Sequence, residues 1–324
     1  MESHTEKILQ GNGEVEPALP ALTPASTLPP ADPFSGRRVG RHMPTYSRPV
    51  KAAEIARQIG CNAIQIFAGN PTGWRPPADN LAASTAFATA ARSLELDPVV
   101  IHAPYLINLA SPDEFIWEKS IVLLSSMLQR GAQLGAKSVV FHTGSHRGTG
   151  VEAGLARIAE ALARMLPETP PEVMLLLEND VGGGGSLGHS FEQLGTVLHL
   201  FPQYATRLGI CIDTAHLWGA GHDISSATST LQVLQQCDDA FGLERLKVIH
   251  LNDTKMALGS HRDAHARIGE GIIPEEGLYT LLRDPRLQHA AVLLETPIKT
   301  GADDKEDWEH DAQQLLLAKK LMGL

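Results

Sequence analysis

Metal-binding side chains stand at the ends of six short apolar segments of this chain. They are His102, His142, Glu178, Asp213, His250 and Glu295. A single histidine in such a place is usually a cap or a hydrogen-bonded structural residue. Six together are different, because carboxylates and imidazoles gathered without a cation would repel one another or would be costly to desolvate. The set therefore predicts a catalytic centre that holds more than one metal ion.

Three more candidate ligands lie in loops near these positions. His216 follows Asp213 by three residues in the stretch GICIDTAH. Asp263 and His265 are two residues apart in GSHRDAHARIGEG, so an extended backbone sends both side chains to the same side. Together with the first six, these side chains are too many for one tetrahedral ion and suit two or three ions with a bridging carboxylate.

The chemistry of the candidate ligands narrows the choice of metal. They are imidazole nitrogens and carboxylate oxygens, a mixture that favours zinc and also permits manganese or iron. No cysteine is among them, which argues against a structural zinc cluster. We therefore expect a catalytic zinc centre.

The elements that carry these residues alternate between short apolar segments and longer segments of helical spacing. The apolar segments are 38–42, 63–68, 98–102, 138–142, 173–178, 208–213, 246–250 and 291–295. Between two of them, Val151, Leu155, Ile158 and Leu162 lie three or four residues apart and mark one face of a helix. Nearly continuous apolar strands that alternate with helices indicate a parallel sheet covered on both faces.

Eight such units between residues 37 and 324 predict a protein of the α/β class, a (β/α)8 TIM barrel in a single domain. The structural alternative is an open, doubly wound sheet. In a barrel the carboxyl ends of the strands converge on one mouth, which would bring the candidate ligands together. Residues 1–36 hold six prolines and no apolar periodicity, and we expect a disordered extension there.

Composition excludes several classes of protein. The formal charge of −10 argues against a broad basic surface for nucleic acid, although it permits a local positive site. No apolar run is long enough to cross a bilayer, and the first nine residues do not have the pattern of a secretory signal. The three cysteines, Cys61, Cys211 and Cys237, form no disulfide framework, so we expect a cytoplasmic protein.

Three motifs resemble those of the endonuclease IV family, the metal-dependent apurinic/apyrimidinic (AP) site endonucleases. They are HAPYLINL at 102–109, GICIDTAH at 209–216, and HLNDTK followed by LGSHRDAH between 250 and 265. FHTGSH at 141–146 and LLEN at 176–179 extend the similarity, which runs from about residue 38 to the end. The proline-rich extension lies outside it.

The resemblance implies a barrel with three zinc ions. The first ion would be held by His102, His142 and Glu178, the second by Glu178, Asp213, His250 and Glu295, and the third by His216, Asp263 and His265. The implied substrate is double-stranded DNA that contains abasic sites, and Glu178 and Glu295 are the catalytic carboxylates that would orient the attacking water. Hydrolysis of the phosphodiester 5′ to the abasic sugar would leave a 3′ hydroxyl and a 5′ deoxyribose phosphate.

Physical chemistry agrees with that reaction. Adjacent divalent ions acidify a water and neutralise the attacked phosphate. Three such ions exceed the charge of four ligand carboxylates by about two units, so the centre would attract phosphate in an otherwise acidic protein.

The predicted DNA contacts lie in the second and third loops of the barrel. Tyr105 and Leu106 are expected to fill the gap at an abasic site, although a tyrosine there is also typical of a core. Asn70 and Trp74 belong to the loop NPTGW, where Trp74 is equally consistent with a packing anchor.

Departures from the family pattern fall in these same regions. In the first loop, Gly40 to Pro49, His42 matches the histidine of the family's GAHVS and the residues after it differ. Thr72 replaces a frequent arginine, and DRH becomes DAH at 263–265. These changes leave the ligands in place and affect how DNA would be gripped and bent.

Two other functions compete with this one. A sugar isomerase or epimerase from a related barrel needs one divalent ion, usually with two glutamates, an aspartate and a histidine, and has no need of Asp263 and His265. A non-enzymatic DNA-binding module is disfavoured by the negative charge and the lack of basic clusters. Metal stoichiometry separates the nuclease from the isomerase, because we expect about three ions per chain for the nuclease and about one for the isomerase. We expect a monomer with no membrane partner.

Overall fold

The structure is a computed structural model that describes residues 36–45, 48–78, 80–298 and 306–324. Its strands are β1 (Val39–Met43), β2 (Ala63–Phe67), β3 (Val99–His102), β4 (Ser138–His142), β5 (Met174–Glu178), β6 (Leu208–Asp213), β7 (Leu246–His250) and β8 (Ala291–Leu294). Its α-helices are α1 (Pro49–Gln58), α2 (Leu81–Ser93), α3 (Glu114–Leu134), α4 (Val151–Met165), α5 (Phe191–His199), α6 (Thr214–Ala220), α7 (Ala227–Phe241), α8 (Glu275–Arg283) and α9 (Trp308–Met322).

The strands form a closed parallel barrel in chain order. Each strand pairs with its neighbours in sequence, and β1 also pairs with β8, with Val39 opposite Val292. The predicted (β/α)8 barrel is therefore confirmed, and the open sheet is wrong. All predicted strand bounds agree to within a residue, and Glu295 directly follows β8 instead of ending it.

The predicted extension and domain boundary fall on a part of the chain that the structure does not describe. Of residues 1–36, only Gly36 is among the described residues. The division into an extension and a barrel domain therefore stays a prediction. Among the described helices, none is both long enough and apolar enough to span a bilayer.

Local sequence signals set the ends of the helices. Asp113 caps α3 by accepting a hydrogen bond from the backbone nitrogen of Ile116 at 3.1 Å, and Gly135 ends that helix with a φ of 69°. A capping box of Ser226 and Ser229 begins α7. These caps satisfy backbone groups that would otherwise be orphaned at the helix ends.

The core has two layers, separated by the wall of the barrel. The larger layer lies between the sheet and the helices. The smaller one fills the barrel below its mouth with Ala63, Val100, Val140, Leu176, Cys211, Val248 and Leu293. At Gly40 the wall leaves no room for a side chain, because a Cβ would lie 1.9 Å from the carbonyl oxygen of Ala63.

A buried ion pair attaches the last helix to the first strand. The Arg41 guanidinium on β1 pairs with the Asp311 carboxylate on α9, and both side chains are almost fully buried. Arg41 also donates to the carbonyl oxygen of Thr296, directly after Glu295, at 3.1 Å. The contacts of Arg41 therefore link β1, the end of β8 and α9.

Candidate metal centre

Eight polar side chains form a layer at the mouth of the barrel, directly above the inner apolar layer. Alternate side chains of a strand face the same way, so a polar side chain of this layer lies two residues after an inward-facing residue of the same strand, as His102 does after Val100. The eight are His42, Gln65, His102, His142, Glu178, Asp213, His250 and Glu295. The structure thus brings together the six predicted strand-end ligands. Gln65 escaped the sequence analysis, although the same two-residue step from Ala63 leads to it.

The first group of candidate ligands is His102, His142 and Glu178. The Oε2 atom of Glu178 lies 3.3 Å from Nε2 of His102 and 3.6 Å from Nε2 of His142. Nδ1 of His102 is 2.8 Å from the carbonyl oxygen of Ala103, so in the neutral ring Nδ1 keeps the proton and Nε2 offers its lone pair. Oε2 of Glu178 is buried and has no hydrogen-bond partner among the described residues, as expected of an atom that ligates an ion.

The second group uses the other oxygen of Glu178. Oε1 of Glu178 lies 2.8 Å from Nδ1 of His250, which is 3.2 Å from Oε2 of Glu295. A carboxylate oxygen of Asp213 completes this group, whose ligand atoms all lie within 4.8 Å of one another. Glu178 therefore presents one oxygen to each of two groups, which is the geometry of a bridging ligand.

The third group lies on the more open side of the mouth. Oδ1 of Asp263 is 3.4 Å from Nε2 of His216 and 3.3 Å from Nε2 of His265. Asp213 also approaches this group, with its Oδ2 3.4 Å from Nε2 of His265. The side chain of Asp263 is 54% exposed, whereas those of His216 and Asp213 are buried. All three side chains predicted for the third ion meet here, and Asp213 lies between the second and third groups.

Two asparagines form hydrogen bonds to these candidate ligands, and the sequence analysis missed both. The side-chain oxygen of Asn179 accepts from the backbone nitrogen of Asp213 at 2.6 Å, and the backbone carbonyl oxygen of Asn179 lies 2.9 Å from Nδ1 of His216. Asn252 donates to Oδ2 of Asp213 at 2.6 Å and accepts from the backbone nitrogen of Glu295 at 3.1 Å. Each asparagine follows a ligand at the end of a strand, within LLEN and HLND. Such partners orient ligands and fix histidine tautomers.

The charges of the layer stabilise one another. Burial opposes ionisation of Glu178, but the charges of His142 and His250 and the hydrogen bond from His250 hold its pKa well below the usual range. Burial also opposes protonation of His216, yet Asp213, Asp263 and Glu178 raise its pKa well above the usual value. Protons thus balance the carboxylates, and a divalent ion that binds must displace them.

Cys211 lies at the boundary of this layer. Its thiol is close enough to Glu178 and His250 to form a group with them. Burial raises the pKa of Cys211 to about 12, so the group is a neutral thiol and not a thiolate ligand. Its place in the inner apolar layer fits the role of a packing residue.

The residues predicted to contact DNA lie in the loops around the mouth. Tyr105 is 57% exposed, and its ring centroid is 5.5 Å from that of His102. The backbone nitrogen of Tyr105 donates to the carbonyl oxygen of Pro71 at 3.0 Å, which joins the third loop to the second. Leu106 is half-buried beside it.

The second loop owes its shape to its own side chains. The Oδ1 atom of Asn70 accepts from the backbone nitrogen and the hydroxyl of Thr72, both at 3.0 Å. Trp74 is half-buried against the core, and Nζ of Lys119 lies 5.7 Å from its ring centroid. Asn70 and Trp74 therefore have structural contacts of their own. The DNA contacts of Asn70, Trp74, Tyr105 and Leu106 stay predictions.

Comparison with known proteins places the chain in a family. The model of the xylose isomerase-like TIM barrels matches residues 53–319. A probable endonuclease 4 from Natranaerobius thermophilus is 42% identical over 266 residues, which are 82% of this chain and 93% of that protein. This chain belongs to the endonuclease IV family. The family predicted from the three motifs is thus confirmed.

Solved structures separate this family from its distant relatives. The crystal structure of endonuclease IV from Thermus thermophilus matches with a TM-score of 0.74 and 37% identity, over 88% of this chain and 99% of that one. A D-psicose 3-epimerase from Clostridium cellulolyticum matches with a TM-score of 0.65 and 14% identity, over 88% and 99% of the two chains. The second likeness shows a shared fold alone.

Proposed function

We propose that this protein is a zinc-dependent endonuclease that hydrolyses the phosphodiester 5′ to abasic sites in double-stranded DNA. The products would be a 3′ hydroxyl and a 5′ deoxyribose phosphate. One observation carries the proposal: Glu178 directs its two oxygens to two different groups of ligands, and a third group lies beside them. Membership of the endonuclease IV family supports the same conclusion.

The residues fit three divalent ions. His102 and His142 with Glu178 would hold one, Asp213, His250 and Glu295 with Glu178 a second, and His216, Asp263 and His265 a third. Bound ions would supply Lewis acidity toward the phosphate and would lower the pKa of a water at the mouth. Nitrogen and oxygen ligands without a thiolate favour zinc, with manganese or iron as substitutes.

Other side chains would bind and orient the substrate. Glu178 and Glu295 would accept a hydrogen bond from the attacking water and orient it. A cavity of about 310 Å³ opens between His102, Tyr105, His142, His216 and Asp263, and this space would receive the phosphate. The exposed ring of Tyr105 would fill the gap that the missing base leaves in the duplex.

A sugar epimerase or isomerase is the second candidate, and a specific observation favours it. The second group alone contains two glutamates, an aspartate and a histidine, which is the set that a one-metal isomerase needs. Against it stand the two further groups, which such an enzyme does not require.

Metal analysis together with a cleavage assay separates the two candidates. We expect about three ions in each purified chain. We also expect cleavage of a duplex with one abasic site, no cleavage of the matched intact duplex, and a 3′ end that a polymerase extends without further processing. A single ion per chain together with sugar epimerisation would overturn the proposal.

Two further points belong to the proposal. We propose that the enzyme works as a monomer, which light scattering of the zinc-loaded protein would check. The three cysteines are free and buried, which supports a reducing compartment such as the cytoplasm.

A further inference from the structure

Gln65 lies in the polar layer at the mouth and contacts three of its members. Its side chain is fully buried on β2. Nε2 of Gln65 donates to Oε1 of Glu295 at 2.6 Å and lies 3.0 Å from Nδ1 of His42. Oε1 of Gln65 lies 2.9 Å from Nε2 of His250. One amide therefore joins two side chains of the second group, His250 and Glu295, to His42.

The surroundings of the amide decide which way it points. A carboxylate oxygen accepts hydrogen bonds and cannot donate them, so the atom 2.6 Å from Glu295 must be the amide nitrogen. The amide oxygen then faces His250. Rotation of the amide by 180° would place two oxygens against each other at Glu295.

This orientation selects the tautomer of His250. Because the amide oxygen can only accept, Nε2 of His250 must carry a hydrogen. When the ring has a single proton, that proton is therefore on Nε2, and the lone pair is on Nδ1. Nδ1 is the atom that lies 2.8 Å from Glu178 and 3.2 Å from Glu295, inside the second group.

The same amide also gives the two oxygens of the Glu295 carboxylate different roles. Its Oε1 is occupied by the hydrogen bond from Gln65. Its Oε2 is the oxygen that approaches Nδ1 of His250 within the second group. Gln65 thus leaves one atom of each of these two side chains free for an ion, without contacting that ion's position itself.

We propose that Gln65 is a positioning residue for the second metal ion, which fixes the Nε2-protonated form of His250 and the one-oxygen mode of Glu295. The inference rests on the metal centre of the proposed function. It concerns one ion of the three, since the partners of His102 and His216 are the backbone carbonyls of Ala103 and Asn179.

The first test is spectroscopic and uses the unaltered protein. Long-range ¹H–¹⁵N correlation of the zinc-loaded, ¹⁵N-histidine-labelled chain reports which ring nitrogen of each histidine carries hydrogen. We expect His250 to be protonated at Nε2, and we expect His102 and His216 to be protonated at Nδ1. Protonation of His250 at Nδ1 would overturn the inference without the need for any variant.

The second test is Gln65→Met, which keeps the length of the side chain and removes both its donor and its acceptor. We expect competition with a chelator to show that one zinc ion binds about 10- to 100-fold more weakly, while the affinities of the other two are unchanged. Unchanged affinity for all three ions would refute the proposal.

Gln314→Met is the matched control. Gln314 is also a buried glutamine, and within the described part of the chain its amide bonds only to the backbone of Ile268. We expect this variant to lose stability in urea unfolding to a similar extent and to bind zinc normally. If Gln314→Met weakened zinc binding as much as Gln65→Met does, the effect would be one of general stability, and the positioning role would be wrong.

Both tests are independent of cleavage. A wild-type chain that binds zinc as described but does not cut abasic DNA would overturn the proposed function and leave the role of Gln65 intact. Normal cleavage by the wild-type chain, together with unchanged zinc affinity in Gln65→Met, would overturn the role of Gln65 and leave the proposed function intact.

Discussion

Replacement of Glu178 by glutamine is the perturbation that tests the metal centre most directly. Glutamine keeps the shape of the side chain, and it replaces one ligand oxygen by an NH2 group that cannot bind a cation. The two oxygens of Glu178 face different groups, so only one group can keep its oxygen ligand. The side chain lies at the mouth, outside the apolar layers, so we expect the barrel to stay folded.

The structure sets the size of the expected effect. If the amide nitrogen faces the first group, that group keeps only His102 and His142, which is too few protein ligands to retain an ion. If it faces the second group, Asp213, His250 and Glu295 remain, but the bridge between the ions is gone. In either case we expect the loss of one ion and a fall in turnover of at least about 10³-fold, which corresponds to about 4 kcal/mol of transition-state stabilisation.

The assay measures bound zinc by elemental analysis and cleavage of a duplex with one abasic site. Glu295→Gln is the informative comparison, because Glu295 belongs to one group alone and should weaken only one ion. Glu152→Gln, at an exposed position in the first turn of α4, should change nothing. A Glu178→Gln protein with three ions and near-normal cleavage would show that Glu178 is not a bridge, and the mechanism built on it would fail.

Three other predictions follow from the structure and the sequence. Partial burial and the nearby carboxylates of Glu295, Glu178 and Asp263 raise the pKa of Tyr105 to about 12, so its hydroxyl stays neutral at physiological pH. Tyr105→Phe should therefore keep the metals and turnover within a few-fold. Tyr105→Ala, which removes the ring, should lower cleavage about 10-fold or more. Equal loss in both variants would contradict a stacking role. A chelator should remove the ions in stages, with the ion at the exposed Asp263 lost first, and activity should be lost slowly. Full activity after metal removal that is verified by elemental analysis would exclude a metal mechanism. A chain that starts at Gly36 should fold and cleave normally, because the segment before it has no apolar periodicity; a lower unfolding midpoint would show that the segment stabilises the barrel.

The sequence alone was enough to predict the barrel and the candidate ligands that gather at its mouth. Short β-branched segments that alternate with amphipathic helices are a local pattern, and eight repeats of it permit few folds. Six of the candidate ligands could be found because each ends or directly follows an apolar strand, where a histidine or carboxylate is conspicuous. His102 and Glu178 are examples: both end strands that are otherwise apolar.

Only the tertiary structure decided which atoms of these side chains face one another. Which oxygen of Glu178 faces which histidine depends on the closure of the barrel, which brings β3, β5 and β7 together from residues more than 70 positions apart in the chain. The same closure makes Gln65 a partner of both His250 and Glu295. A glutamine within a strand has no local signal of such a role, because its hydrogen bonds form across the barrel and not along the chain.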